Sequence, residues 1–251
     1  MNFDRVIAVR NTKTIYRDGD KCIKVFNQDY TSADVLNEAF NQAMASESGL
    51  SVPKVKSVSE NDGRWYITSE YIAGKSLAQL IDESPDKTEE YLEMFVDLQL
   101  KIHSKRCPAL KRLRDQMNRK IRNSGLNATD RFALHTRIDL MPKHNKLLHG
   151  DFNPSNIIIS GSGTPYILDW SHAVQGNASS DSAITYLNFM LGGDTYTADR
   201  YLEMFCEKSG TDPEYVKKWL PISAVAMSDK RHGEEKQFLL RFAEESINNK
   251  R

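Results

Sequence analysis

Through the first seventy or so residues, apolar and polar positions mostly alternate, and beyond Leu77 apolar positions recur at the three-and-four spacing of a helix. "RVIAV" from Arg5 and "TIYRDGDKCIKVF" from Thr14 read as strands, with the Asp18–Asp20 triplet making a tight hairpin turn and Lys24 near the end of the second hairpin strand. "TSADVLNEAFNQAMASESGL" reads as a helix capped by Thr31 or Ser32 and stopped at Gly49, with Glu38 in its first half. "SVPKVKSVSENDGRWYITSEYI" repeats the two-strand pattern around an Asn-Asp-Gly turn. From Leu77 to Arg122 the pattern is helical, with Leu92, Phe95, Val96, Leu98 and Ile102 as a core-facing stripe. "NIIIS" and "PYILDW" are short apolar strands around "GSGT", and from about Ser180 the chain is helical again, with stops near Gly192 and Gly210. The expected fold class is α+β, with a small β-rich lobe over residues 1–72 and a larger, mostly helical lobe over 73–251.

Composition narrows the function classes. At 251 residues, 39% hydrophobic and 27% charged, the chain is long enough and apolar enough to bury a sizeable core, which excludes a disordered chain. Thirty-four Lys and Arg balance 34 Asp and Glu, so no global field draws the chain to nucleic acid or an anionic membrane. A local exception runs from Lys101 to Arg122, with nine Lys or Arg and only Asp115 as an acid. It has no aromatic residue on which bases would stack, and acids at Glu83, Asp86, Glu89, Glu90, Glu93 and Asp97 precede it, so it reads as a solvated helical face. Neither nucleic acid nor a membrane is an expected partner. Cys22, Cys107 and Cys206 are odd in number and far apart, and "MNFDRVIAVR" carries an acid without a sustained apolar run, so the expected location is the reducing cytoplasm. Nothing in the sequence speaks to oligomeric state.

The chemistry concentrates in "LLHGDFNPSNIIIS" from Leu147, which sets His149, Asp151, Asn153 and Asn156 between apolar flanks. Asn156 follows Asp151 by five positions, and Asp169 follows Asn156 by thirteen, at the end of an apolar strand. Taken singly, Asp151 and Asn153 read as Asx-turn residues that cap backbone N–H groups. Taken together, two carboxylates and an amide oxygen on one loop, hairpin and strand end form a donor set that suits Mg²⁺, which keeps several waters and takes few protein oxygens. An Asp not committed to metal is free to orient an attacking hydroxyl. Phosphoryl transfer needs that combination of positioning and charge neutralisation.

"HGDFNPSNIII" followed by "YILDW" resembles the catalytic loop and metal-binding strand end of the aminoglycoside phosphotransferase and choline kinase superfamily, small-molecule relatives of the protein kinases. The resemblance implies a two-lobed protein-kinase-like fold, Asp151 as catalytic base, Asn156 and Asp169 as Mg²⁺ ligands, and His149 as a loop-supporting residue. Lys24 in "KCIKVF" resembles the lysine that holds the α- and β-phosphates, and Glu38 the glutamate that pairs with it. "SEYIAGKSL" resembles the hinge, where backbone groups of Glu70 and Ile72 would bind the adenine edge, and Asp181 resembles the aspartate that braces the catalytic loop. Gly150 stands where protein kinases often carry an Arg that reads a phosphorylated activation loop, which points to a metabolite kinase. The turn "VRNTKTIY" lacks the glycines that cover the phosphates in protein kinases, leaving Asn11, Thr12 and Lys13 to replace some contacts with side chains.

The function the resemblance implies is transfer of a γ-phosphate from ATP, or GTP, to a small-molecule hydroxyl, with Mg²⁺ as cofactor. Sugars, aminoglycosides and amino alcohols are all open as acceptors. Residues 195–251 hold ten acids and ten bases, no carboxylate surplus for a polycation, and the aromatics from Tyr186 to Trp219 could supply an ammonium cage, but their near-helical spacing favours core packing. The alternative class is a kinase-shaped nucleotide-binding module with little or no catalysis, which would rest on the missing glycines alone.

Overall fold

The structure, a computed structural model, describes residues 3–10, 12–229 and 231–248. The chain opens with β1 (Arg5–Val9), β2 (Lys13–Asp18), β3 (Lys21–Phe26), α1 (Ser32–Glu47), β4 (Val55–Asn61) and β5 (Arg64–Glu70). There follow β6 (Gly74–Ser76), α2 (Leu77–Glu83), α3 (Thr88–His103), α4 (Leu113–Arg122) and α5 (Ala128–Leu140). Next come β7 (Lys146–Leu148), β8 (Ile157–Ser160), β9 (Pro165–Ile167) and β10 (Val174–Gly176). The chain closes with α6 (Ala178–Leu191), α7 (Thr195–Ser209), α8 (Pro213–Lys217), α9 (Leu220–Ser228) and α10 (Gly233–Asn248). Among the described residues no helix is long and apolar enough to cross a membrane.

Packing divides the chain into two compact units. One holds the residues up to Tyr91 together with Asn153–His172; the other holds Leu92–Phe152 and the chain from Ala173 onward. A single cut after Ile72, as the pattern of strands and helices suggests, differs from this division. β6 pairs with β8 and α2 packs against β8, so two segments beyond Ile72 fold with the sheet-bearing unit.

The first unit is built on a five-stranded antiparallel sheet in the order β1-β2-β3-β5-β4. Both hairpin turns follow from their sequences: Gly19 turns at φ +58, and Asp62 and Gly63 both adopt positive φ, the geometry that matches strand twist. α1 starts where the Thr31 hydroxyl accepts the Asp34 N–H, and its apolar stripe, Val35 and Ala39, closes over Phe26 and Ile67 of the sheet. A second sheet, β6-β8-β9, joins this body through the Ile167 N–H, which donates to the Ser51 carbonyl at 2.9 Å. Gly74 in β6 is required by close approach, since a Cβ there would lie 2.0 Å from the Ile159 carbonyl oxygen.

The second unit packs helices around a two-stranded antiparallel ribbon of β7 and β10, with Leu147 and Leu148 fully buried. Phe95 of α3 stacks on Phe152 with ring centroids 4.5 Å apart, and Tyr201 of α7 meets the Phe95 edge at 5.9 Å. The helical reading of Leu77 to Arg122 is corrected in two places. α2 ends at Glu83 before a 3-10 turn opened by Pro85, and residues 104–112, which include Pro108, form a loop before α4. Pro85 lacks the N–H that would continue α2. The stops at Gly192 and Gly210 appear as the ends of α6 and α7.

Candidate active site

The β2–β3 hairpin sets the first group of functional side chains. Its register pairs Lys13 with Phe26 and Ile15 with Lys24, so Lys13 and Lys24 lie on one face, one pair apart. α1 brings Glu38 over that face, 1% exposed. Lys24 Nζ donates to Glu38 Oε1 at 2.6 Å, the pairing that the sequence suggests for these two residues. Lys13 Nζ donates to both Glu38 oxygens, at 2.8 and 3.0 Å, and reaches Asp169 Oδ1 at 3.3 Å. Burial disfavours the Lys24 ammonium, but the carboxylates of Glu38 and Asp169 outweigh it and hold its pKa above the ordinary lysine value.

Asp169 occupies a conformation that its neighbours impose. It lies two residues past the end of β9 with φ +57, a left-handed backbone that Asp tolerates better than most residues. The residue after it, Trp170, is fully buried, donates its indole N–H to the Ile167 carbonyl at 3.0 Å, and accepts the Asn41 side-chain amide of α1 at 3.1 Å. α1 therefore carries Glu38 toward the lysines and, three residues on, Asn41 toward the segment that presents Asp169. Burial opposes charge on Asp169, yet Lys24 and Lys13 hold its carboxyl far below the usual range. Asn156 sits at the start of β8, where its carbonyl accepts the Leu168 N–H at 2.8 Å and so extends the Ile157–Ile167 pairing of β8 with β9. Asn156 and Asp169 thus lie on neighbouring chain segments at one end of this hairpin.

Among the described residues no group of three or more His, Cys, Asp or Glu side chains is arranged to hold a metal. What is present is one carboxylate, held ionised by its cationic neighbours, and one amide oxygen nearby in the fold. That sparse, hard donor set fits Mg²⁺ completed by water and phosphate oxygens, and does not fit a zinc site.

In the second unit a single helix holds the loop that carries Asp151. Asp181, Thr185 and Asn188 of α6 fall at i, i+4 and i+7, one stripe of the helix. The Asp181 carboxylate, 1% exposed, accepts the His149 N–H at 3.1 Å, the Gly150 N–H at 2.7 Å and His103 Nε2 at 2.9 Å. Burial works against its charge, and the bond and charge of His103 prevail, lowering its pKa. Thr185 Oγ1 donates to the Phe152 carbonyl at 3.0 Å, and Asn188 Nδ2 donates to Asp151 Oδ1 at 3.1 Å. His149, fully buried, accepts the Asp151 N–H on Nδ1 at 3.3 Å, the loop-supporting position expected of it. Gly150 turns at φ +80, which an Arg side chain would strain. Asn153 caps the following 3-10 turn by accepting the Ser155 N–H at 3.1 Å, the Asx-turn role weighed for it from the sequence.

Glu70 closes β5; its N–H donates to the Lys54 carbonyl at 3.0 Å, and the Tyr71 N–H donates to the Asp20 carbonyl at 2.9 Å. The next N–H along is that of Ile72. Of the side chains suggested to replace a glycine-rich turn, Lys13 is drawn to Glu38 and Asp169, and Asn11 lies outside the described residues. Two residues, and the pairing of a third, escape a sequence reading. Thr185 and Asn188 are found only by extending the stripe begun by Asp181, and the Lys13 pairing only by counting hairpin register across Gly19. A cavity of about 530 Å³ in the second unit, lined in part by Arg112, Arg114, Asp115, Lys143, His144 and Trp219, lies at the Lys146–Gly176 end of the β7–β10 ribbon, whereas the loop to Asp151 leaves from the other end.

Comparison with known proteins identifies the family and the fold. The family model described as "Phosphotransferase enzyme family" matches residues 7–219. A curated relative, the probable serine/threonine-protein kinase PknB of Lactococcus lactis subsp. lactis, is 24% identical over 194 residues, which are 77% of this chain and 23% of that protein. The chain thus spans about a quarter of the length of this relative. Among solved structures, a thermostable mutant of aminoglycoside phosphotransferase APH(4)-Ia superposes with a TM-score of 0.73 at 13% identity, covering 98% of this chain and 94% of that one. The choline kinase LicA from Streptococcus pneumoniae gives 0.66 at 14% identity, covering 99% and 94%. A ternary complex of an APH(4)-Ia variant with ADP and hygromycin B gives 0.69 at 12% identity, covering 98% and 92%. These likenesses establish the α+β protein-kinase-like fold.

Proposed function

The chain belongs to the phosphotransferase enzyme family, and on that premise we propose that it transfers the γ-phosphate of ATP to a hydroxyl group of a small molecule. One observation carries the reading: the buried Lys24–Glu38 ion pair at 2.6 Å, with Asp169 held ionised beside it. A buried ion pair contributes little net stability compared with apolar residues of the same volume, so a network of this kind is better explained by a ligand rich in negative charge. In the APH(4)-Ia ternary complex the nucleotide is ADP, which supports an adenine nucleotide here.

In this reading Lys24, fixed by Glu38, neutralises the α- and β-phosphates, and the Glu70–Ile72 backbone meets the adenine edge. Asn156 and Asp169 would hold Mg²⁺, which would supply positive charge to offset the negative charge that develops on transfer. Asp151, oriented by Asn188, accepts a hydrogen bond from the acceptor hydroxyl and takes its proton. The hydroxyl oxygen bonds to the γ-phosphorus, the bond from that phosphorus to the β,γ-bridging oxygen breaks, and ADP leaves with the bonding electron pair. The acceptor is a small molecule rather than a protein segment, because Gly150 replaces the Arg that in protein kinases reads a phosphorylated activation loop. Within that class sugars, amino alcohols and aminoglycosides are all acceptors to try.

ADP release measured across a panel of sugars, amino alcohols and aminoglycosides tests the reading. At least one acceptor is expected to stimulate release by the wild-type protein. Asp151→Ala is expected to lower it by roughly 10²- to 10⁴-fold, the usual contribution of a general base, while ADP binding is retained. Retained turnover in Asp151→Ala would remove Asp151 from the role of base.

A further inference from the structure

Lys13 holds a position that the Lys24–Glu38 pair does not account for. Its side chain is buried, and Glu38 already has an ammonium partner at 2.6 Å in Lys24. Desolvating a second ammonium is costly unless it is compensated, and among the described residues Asp169 supplies the matching charge. Two lysines then balance two carboxylates, with Lys13 bridging the pair: 2.8 and 3.0 Å to Glu38, 3.3 Å to Asp169. Asp169 is also the carboxylate proposed above for Mg²⁺. We propose that Lys13 is a cation placeholder for that site: its ammonium sits on Asp169 where the metal binds, and it moves to the nucleotide phosphates when the metal-nucleotide arrives.

The inference rests on the phosphotransferase reading and deepens it. Lys13 begins β2 directly after the turn that covers the phosphates in protein kinases, a turn closed here by the Arg10 N–H donating to the Lys13 carbonyl at 2.9 Å. That turn has no glycine whose backbone N–H approaches a phosphate closely, so a side-chain donor must supply the missing charge neutralisation. Lysine suits the task, being a compact charge on a flexible stem that exchanges one partner for another without changing the strand. Loading the nucleotide exchanges one anion for another around Lys13, a carboxylate for a phosphate, so the ammonium is never left buried and unpaired.

Titration calorimetry with AMP-PNP over a series of Mg²⁺ concentrations, on wild type, Lys13→Met and Lys13→Arg, tests the proposal, with circular dichroism to confirm that each variant is folded. Lys13→Met removes the competitor on Asp169, so half-maximal binding is expected at several-fold less Mg²⁺. At saturating Mg²⁺ the same variant is expected to bind AMP-PNP roughly tenfold more weakly, having lost one charge-assisted hydrogen bond to phosphate. Lys13→Arg keeps the buried charge, and its planar fork grips a carboxylate more firmly, so its Mg²⁺ midpoint is expected to rise. A purely structural counter-ion to Glu38 would leave the Mg²⁺ midpoint unmoved in both variants, and that result overturns the proposal whatever happens to affinity. Should Lys13→Met not fold, the Lys13→Arg midpoint decides alone. Wild-type protein that binds no AMP-PNP at any Mg²⁺ concentration would instead overturn the nucleotide reading itself, a failure visible before any variant is compared.

Discussion

At the scale of single residues, the site depends on side chains that hold other side chains. Asn188 touches Asp151 at 3.1 Å and sits seven residues beyond Asp181 on α6. An amide that donates to one carboxylate oxygen fixes the carboxylate rotamer. Asn188→Ala is therefore expected to lower kcat by roughly tenfold, about 1.4 kcal/mol of barrier, with the nucleotide Kd unchanged, as steady-state kinetics and calorimetry would show. A lower kcat together with a raised Kd would mean that Asn188 shapes the whole loop rather than the proposed base alone. The sequence makes Asp151, Asn156 and Asp169 legible because all three lie in one short stretch of loop, hairpin and strand end. It leaves Asn188 illegible because an asparagine within a helix has no local signature. Lys13 lies between these cases, since its position follows from hairpin register but its two carboxylate partners come from α1 and from the segment after β9.

At the scale of elements, α6 is the part that holds the loop carrying Asp151. Its stripe of Asp181, Thr185 and Asn188 is polar, with Asp181 and Thr185 buried, and because Ser180, Ser182, Ala183, Ile184 and Leu187 are buried as well, no single apolar face is left for hydrophobic periodicity to reveal. Asp181 accepts two backbone N–H groups and His103, and an Asn there keeps the shape but brings an amide NH₂ against donors. Asp181→Asn is expected to cost about 3 kcal/mol and to lower the Tm by roughly 6 to 12 °C. The pH dependence has a definite sign. The Asp181 carboxyl is held below its ordinary value of 3.8, so the folded state binds its proton less readily than the unfolded chain does. Its stabilisation is present above that pH and is lost as the pH falls below it. Wild type should thus gain more Tm between acid and neutral pH than Asp181→Asn does, and parallel curves would show that Asp181 does not act through its charge. The strands, α1 and the ends of α6 and α7 are readable from turns and caps, whereas the break between α2 and α3 depends on reading Pro85 as a stop inside a run that otherwise keeps its helical spacing.

At the scale of the whole molecule, the chain is electrically neutral, so attraction to a nucleotide must arise from the local arrangement of charge and not from a global field. That arrangement is itself neutral, two lysines against two carboxylates, and it should bind phosphates and metal together rather than either alone. The α+β class is legible in the strand and helix patterns along the chain, and the kinase-like fold in the resemblance carried by "HGDFNPSNIII" and "YILDW". The division into compact units is less so, because β6 pairs with β8 across some eighty residues of intervening chain, a separation no local pattern encodes. The central claim, a nucleotide site that works only with its metal, is tested most directly by the Tm of the purified protein with ATP and Mg²⁺, with ATP alone and with Mg²⁺ alone. Ligand at about 100 times its Kd adds roughly 2.7 kcal/mol, which for this size raises the Tm by roughly 5 to 10 °C. A rise of that order with ATP and Mg²⁺ together, absent with either alone, is the expected result; an unchanged Tm under all three conditions would contradict the account.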